Sequence, residues 1–439
     1  MEVRFDTKIA IAVRADLEQW QKLNVTAFLS SGIAACEPGI MGKPYEDGSG
    51  NTYLELFRQP VVVYAADGET LSPAHQRALT RGMTLAIYTS GRAAVRRPRA
   101  ARSPQRRRQG AQGRYAASMK AALYRSTGPA QVLQVEEVER PEPGPGEVLV
   151  RVHASGVNPT DYKARSGATP RPIDGFQIPH HDGAGVIEAV GEGVDPDRVG
   201  QRVWLWFSAA GRRWGTAAEW TVVPQRHAVL LPDGASFELG ASLGVPAMTA
   251  HYCLFCDGPV TGQTVLVAGG AGAVGHFAIE LAKRAGARVI ATVSNAQKAA
   301  LAEQAGADLV VNYRAAGAAQ QVKAFAPAVD RVVELALGAN LALDLAVTRP
   351  GATIVTYAAE ADDPVLPVRA CMTANVVLRF VLVYGVPAAA LDQAAADISA
   401  ALAAGDLTGL PVHGFGLADI VAAHQAAEAG AAGKVIVTP

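Results

Sequence analysis

The chain has 439 residues, enough for two or three domains that each bury a core. Its 40 basic and 40 acidic side chains cancel unevenly: residues 1–90 carry 8 basic and 10 acidic groups, residues 91–114 carry 9 Arg and no acid, and residues 115–439 carry 23 and 30. Cys36, Cys253, Cys256 and Cys371 are too few and too scattered for a disulfide framework, which suits a reducing cytoplasm, while the charged N-terminus and the Arg or Asp in every long apolar stretch argue against a signal peptide or a membrane span.

Residues 1–90 read as a small α/β unit. Lys8 to Val13, Pro60 to Ala65 and Thr84 to Tyr88 are uninterrupted apolar runs expected to be strands, with helices after Asp16 and over Pro73 to Arg81. Such strands separated by helices imply a parallel or mixed sheet covered on both faces. The stretches FDTKIAIAVR, WQKLNVTAFLSSGIAA and PYEDGSGNTYLELFRQPVVVYAA resemble an uncharacterised bacterial domain family with a peptidyl-tRNA hydrolase II-like fold. Lys22 is its candidate polar site residue, or else a solvated helix-face lysine. The resemblance is expected to stop near Tyr88 to Thr89.

Residues 91–118 are rich in Arg, Ala, Gly and Pro, carry no acid and have almost no apolar side chains, so they are expected to be disordered. A linker, an out-of-frame product of GC-rich DNA, and a nucleic-acid tether around Arg106-Arg107-Arg108 all remain open, although no aromatic is interleaved before Tyr115 to stack on bases.

A new pattern starts at Met119. The Pro/Gly-rich connection EEVERPEPGPGE leads into an alternating strand, Val148 to Val152, and short strands follow at Gly183 to Val190, Arg202 to Phe207, Trp220 to Val223 and Ala228 to Leu230. That density predicts a compact β-barrel-like domain. From Gly262, strands at Val265 to Ala268, Arg288 to Val293, Asp308 to Asn312, Arg331 to Leu335 and Thr353 to Tyr357 alternate with helical stretches, which predicts a doubly wound parallel sheet. The Cys253-Leu-Phe-Cys256 pair has no second pair and sits in an apolar helical stretch, so it reads as core rather than as zinc or redox chemistry.

Within the sheet, Gly270, Gly272 and Gly275 form G-x-G-x-x-G between the strand TVLVA and an apolar helical stripe beginning at His276. These glycines, with Ala273 and Val274, let the backbone turn tightly and approach a pyrophosphate, which the helix N-terminus then receives. No acid occurs between Glu280 and Glu303 to bind a free ribose 2′-OH; Ser294 and Lys298 stand there instead, which points to NADP(H).

With MKAALY, PGPGEVLVRVHASGVNPTDYKARSG, PHHDGAGVIEAVGEGV, GQRVW, GTAAEW, GVPAMTAHY, GADLVVNYR and a closing GKVIV, residues 119–439 resemble the zinc-independent quinone oxidoreductase (zeta-crystallin-like) branch of the medium-chain dehydrogenase/reductase superfamily. The resemblance implies an α/β protein: a GroES-like β-barrel catalytic domain over 119–245, a Rossmann NADP-binding domain over 246–384 and a return to the catalytic domain over 385–439. It implies that Asn158 lies near the nicotinamide, that Lys163 stands in a Tyr position, that Thr249 and Tyr252 enter the cofactor cleft, and that Lys298 and Tyr313 contact a 2′-phosphate. An Arg that completes this phosphate site in some relatives is replaced by Ala429. Zinc-dependent relatives have Cys at Asn158 and His-Glu at His181-Asp182, plus a four-cysteine lobe, so no metal is expected. The run Val376 to Val383 resembles the edge strand that pairs subunits in a homodimer. Hydride transfer from NADPH to a quinone is the implied activity. An enone or alkenal reductase, and a non-catalytic nucleotide- or RNA-binding protein, are the alternatives.

Overall fold

In a computed structural model the described residues are 118–439, apart from 170, 361 and 362, together with six strands in the preceding segment. The chain divides into two compact units, Met1–Gly113 and Arg114–Pro439.

In the first unit, β1 (Ile9–Arg14), β2 (Tyr45–Glu46), β3 (Thr52–Tyr53), β4 (Val61–Ala66), β5 (Leu85–Thr89) and β6 (Arg92–Arg96) are described. β1 pairs β4 in parallel from Ile9↔Val61 to Arg14↔Ala66, which the length of chain between them permits. β5 and β6 pair antiparallel from Leu85↔Arg96 to Thr89↔Arg92. Residues 92–96 are therefore strand where disorder was expected, since backbone pairing does not depend on apolar side chains. The predicted helices, Lys22, Cys36 and residues 97–117 lie outside the described residues.

The second unit begins with β7 (Ser118–Leu123) and β8 (Gln134–Glu139), an antiparallel pair. Then come β9 (Glu147–Gly156), α1 (Pro159–Ser166), β10 (Asp182–Val190), β11 (Arg202–Leu205), β12 (Trp220–Pro224) and β13 (Ala228–Leu230). A long helix, α2 (Phe237–Phe255), leads into β14 (Thr264–Ala268), α3 (Ala273–Arg284), β15 (Arg288–Val293), α4 (Ala296–Gln304), β16 (Leu309–Asn312), α5 (Ala318–Phe325), β17 (Val329–Glu334), α6 (Leu337–Val347), β18 (Thr348–Thr356), α7 (Val368–Ala374) and β19 (Val377–Phe380). The chain closes with α8 (Ala388–Ala404), β20 (Val412–Gly416), α9 (Ile420–Glu428) and β21 (Lys434–Thr438).

Two sheets organise this unit. The first runs β13-β11-β10-β9-β21-β20, with β12 also on β9, so the last strands of the chain complete a sheet begun near residue 147. The second is parallel in the order β16-β15-β14-β17-β18-β19. Counted from β14 this is 3-2-1-4-5-6, the doubly wound Rossmann order, with its switch point at β14. Helix α2 is continuous across 245/246, where a boundary was expected, because Leu243, Ala247, Ala250 and Leu254 bury into one core with Phe277, Val289 and Ala291. Helix α8 joins that core through Leu391, Ala394 and Ile398, so only β20 to β21 return to the first sheet.

Candidate active site

The strand–turn–helix unit is built as its residues require. β14 is buried throughout, and α3 opens at Gly272, which has no side chain to cap the helix, so its first N–H groups are left to a ligand. A Cβ on Gly275 would collide with the Gly269 carbonyl, and one on Gly270 would lie 2.8 Å from the Ala291 Cβ. Gly275 thus lets helix and turn touch, while Gly270 lets the turn sit against β15.

At the carboxyl ends of β14 to β18 a cleft of about 660 Å³ opens. Gly272, Ala273 and Val274 line its centre; Ser294, Lys298 and Tyr313 line the end where β15 and β16 run out; Asn158, Lys163 and Lys434 line the opposite wall. No carboxylate is among the lining residues, and the glycine turn and the uncapped helix together fit a dinucleotide. Gly270 and Gly275 shape this cradle from behind without lining it.

Thr249 and Tyr252 are not brought to the cleft. Thr249 is buried and donates its hydroxyl to the Val245 carbonyl at 2.6 Å, and Tyr252 packs against the core. The cleft is instead met one turn earlier, by Val245 and Pro246. Two helical donors are missing from the ladder there, since Pro246 has no N–H and Val245 donates to Asp182 Oδ1 at 2.7 Å.

Around Asn158 stands a buried polar network. Asn158 precedes α1, and its backbone N–H is capped by Asp161 Oδ2 at 2.7 Å, which Asn-x-x-Asp permits. Its side-chain Nδ2 donates to Asp182 Oδ2 at 2.6 Å, and its Oδ1 accepts from Lys434 Nζ at 2.7 Å. Lys434 Nζ lies 3.9 Å from Asp182 Oδ2. Burial pushes Asp182 up to about 6, against the pull of Lys434, and pushes Asp161 up to about 7 with help from the charge of Asp182. Lys434 and Asp161 were not singled out in the sequence, and Asp182 was noted only as standing where zinc-dependent relatives have Glu. The signals were there: a Lys and an Asp each heading a buried strand, and an Asp three residues after an Asn.

His180 and His181 take other partners. His180 has φ +76° and sits between Ser155 Oγ at 2.7 Å and His424 Nε2 at 3.0 Å. His181 Nε2 faces Arg171 Nη1 at 3.3 Å, and burial holds its ring down at about 3, so it stays neutral. Cys253 is buried in α2, where burial raises its thiol well above the ordinary range and leaves it inert.

Comparison with known proteins agrees with this geometry. The Alcohol dehydrogenase GroES-like domain family matches residues 144–233, and the Zinc-binding dehydrogenase family matches residues 273–400. A quinone oxidoreductase of Sus scrofa is 30% identical over 322 residues, covering 72% of this chain and 95% of that protein. This chain belongs to the quinone oxidoreductase branch of the medium-chain dehydrogenase/reductase family. A mycobacterial member solved in complex with NADPH is 32% identical with a TM-score of 0.64, covering 73% of this chain and 100% of that one. An alcohol dehydrogenase of Geobacillus stearothermophilus is 39% identical over 215 residues, 44% of this chain and 63% of that enzyme. The first unit matches a Protein of unknown function family (DUF2000) over residues 7–117, beyond the point at which the resemblance was expected to stop. It is therefore an oxidoreductase fold with a nicotinamide site, preceded by an uncharacterised domain. Among the described residues no helix is long and apolar enough to cross a membrane.

Proposed function

We propose that this protein reduces a quinone or similar conjugated carbonyl with NADPH, and without zinc. One observation carries the reading: the end of the cleft beyond β15 and β16 presents Ser294, Lys298 and Tyr313 with no acid. Lys298 attracts a 2′-phosphate as a point charge, whereas a carboxylate would repel it. A relative's complex with NADPH supports the same cofactor.

When bound, a dihydronicotinamide supplies the hydride; the chain supplies alignment and charge. Pro159, Tyr162 and Lys163 on α1 face the glycine turn across the cleft, so donor and acceptor would be held together out of bulk water. The donor set where zinc-dependent relatives hold their metal does not suit zinc. Both ends of the Asn158 amide are occupied, and Lys434 already places a cation beside Asp182. Polarisation of the acceptor therefore falls to side chains.

The exposed apolar edge of the parallel sheet supports pairing of two copies, since Phe380 and Leu382 are 66% and 71% exposed at and beside β19. The test of function compares the full chain with Met119 to Pro439 for NADPH and NADH oxidation across quinones and enones. NADPH-selective quinone reduction by both is expected. Cofactor binding with no oxidation by any acceptor would refute an enzyme.

A further inference from the structure

Lys434 is the first residue of β21, and its side chain is 3% exposed although it lines the cleft. An ammonium carries three N–H donors. One is taken by Asn158 Oδ1 at 2.7 Å, while Asp182 Oδ2, at 3.9 Å, stands beyond hydrogen-bond reach. A purely structural counter-ion would close on the carboxylate. Here the ammonium is drawn instead to the amide on the cleft wall and keeps N–H capacity in hand beside the open cleft. The cleft has no other buried cation among its described lining residues: Lys163 and Lys298 are both half-exposed.

We infer that Lys434 is the catalytic residue that binds the acceptor oxygen, its ammonium taking up the negative charge that develops there and passing a proton to it. This rests on the proposed carbonyl reduction. In that reaction the acceptor carbon gains two electrons and a hydrogen as hydride from a dihydronicotinamide, which is oxidised to the nicotinamidium. The carbonyl π pair moves to oxygen, directly or through the conjugated system. The oxygen takes a proton from Nζ, which leaves a neutral amine to be reprotonated from solvent. Asn158 and Asp182 are positioning residues, holding Nζ at the wall.

The groups facing Nζ suit this use. Burial lowers Lys434 below the ordinary lysine range, while Asp182 on β10 and Asp161 on α1 push it back up. His180, just before β10, is held neutral by burial first and then by the charges of its surroundings, Lys434 among them. A lysine lowered by burial yet kept charged by two carboxylates is a better acid than a solvated one.

The test uses the full chain without cofactor and 4-nitrophenol as a coloured stand-in for the reduced acceptor. In the wild type the bound ligand should ionise at a lower pH than it does in solution, read from the phenolate absorbance. Lys434→Met should bind the phenolate about tenfold more weakly or worse, the scale of a lost charge-assisted hydrogen bond. Lys434→Arg should retain ionised binding, and 4-nitroanisole, which has no ionisable oxygen, should bind all three alike. Wild-type protein that binds only the neutral phenol overturns the inference, and so does Lys434→Met binding phenolate as the wild type does. Should Lys434→Met fail to fold by its melting curve, the wild-type and Lys434→Arg spectra decide. Turnover with NADPH reads the proposed function and the phenolate spectrum reads Lys434, so the two fail separately.

Discussion

Asp344 and Glu334 form a buried acid pair directly behind the cleft, and their titration gives a worked prediction. Glu334 Oε1 accepts from Leu335 N at 2.7 Å, Ala336 N at 2.5 Å and Asn340 Nδ2 at 2.9 Å, and so holds the segment that lines the cleft after β17. Its Oε2 and both carboxyl oxygens of Asp344, a residue 1% exposed, have no donor. Two carboxylates offer no hydrogen between them; one proton on Asp344 supplies it. Burial, then the charge of Glu334, pushes Asp344 up to about 9. Because this folded value exceeds the unfolded one, the native state holds a proton that the unfolded chain releases. The associated stability is full below about pH 4 and falls as pH rises toward about 9, by about 1.4 kcal/mol per unit. Between pH 6 and 8 the wild type should lose roughly 3 kcal/mol through this pair. Asp344→Asn has no proton to lose, and its amide can donate to Glu334 Oε2. Its loss over the same interval should be smaller by that amount. Urea unfolding followed by tryptophan fluorescence suits the measurement, since Trp204, Trp206, Trp214 and Trp220, four of the five tryptophans, lie in the second unit. Equal pH dependence in variant and wild type would refute the reasoning.

Other consequences are open to measurement. Gly275→Ala drives a Cβ into the Gly269 carbonyl and to 3.0 Å from the Gly270 Cα, both backbone; overpacking of about 1–3 kcal/mol and loss of NADPH binding by calorimetry are expected, and unchanged binding would contradict the cradle. Lys298→Ala should weaken NADPH about tenfold and NADH little, one charge-assisted contact being lost; equal weakening of both would remove the 2′-phosphate assignment. Tyr252→Phe should leave kcat and the KM for NADPH within about twofold, as befits a residue whose change away from the cleft removes no contact there. If two copies pair through β19, Phe380→Asp should shift the mass seen by light scattering to that of one chain.

The dinucleotide-binding core is the part most legible in the amino-acid order. β14, β15 and α3 are marked by apolar runs on either side of Gly270, Gly272 and Gly275, because a buried parallel strand and a glycine turn leave local composition signals. Asn158, Lys163, Ser294, Lys298 and Tyr313 do share one cleft. Thr249 and Tyr252 do not, since α2 meets the cleft one turn earlier, at Val245 and Pro246, and carries them into the core. The β5–β6 pair is hidden by its arginines, whose side-chain character says little about backbone pairing.

The sequence by itself determined the two sheet types, the dinucleotide turn and the lack of an acid for a free ribose, all read from local runs and motifs. Only the tertiary structure could assemble Asn158, Asp182 and Lys434, which come from α1's cap, β10 and β21. Lys434 is 276 residues from Asn158 and reaches it because β21 pairs with β9 at Ile436↔Gly156, setting the last strand of the chain beside the first strand of the same sheet. Pairing between distant strands is decided by register and by the shared core, and no local pattern records it.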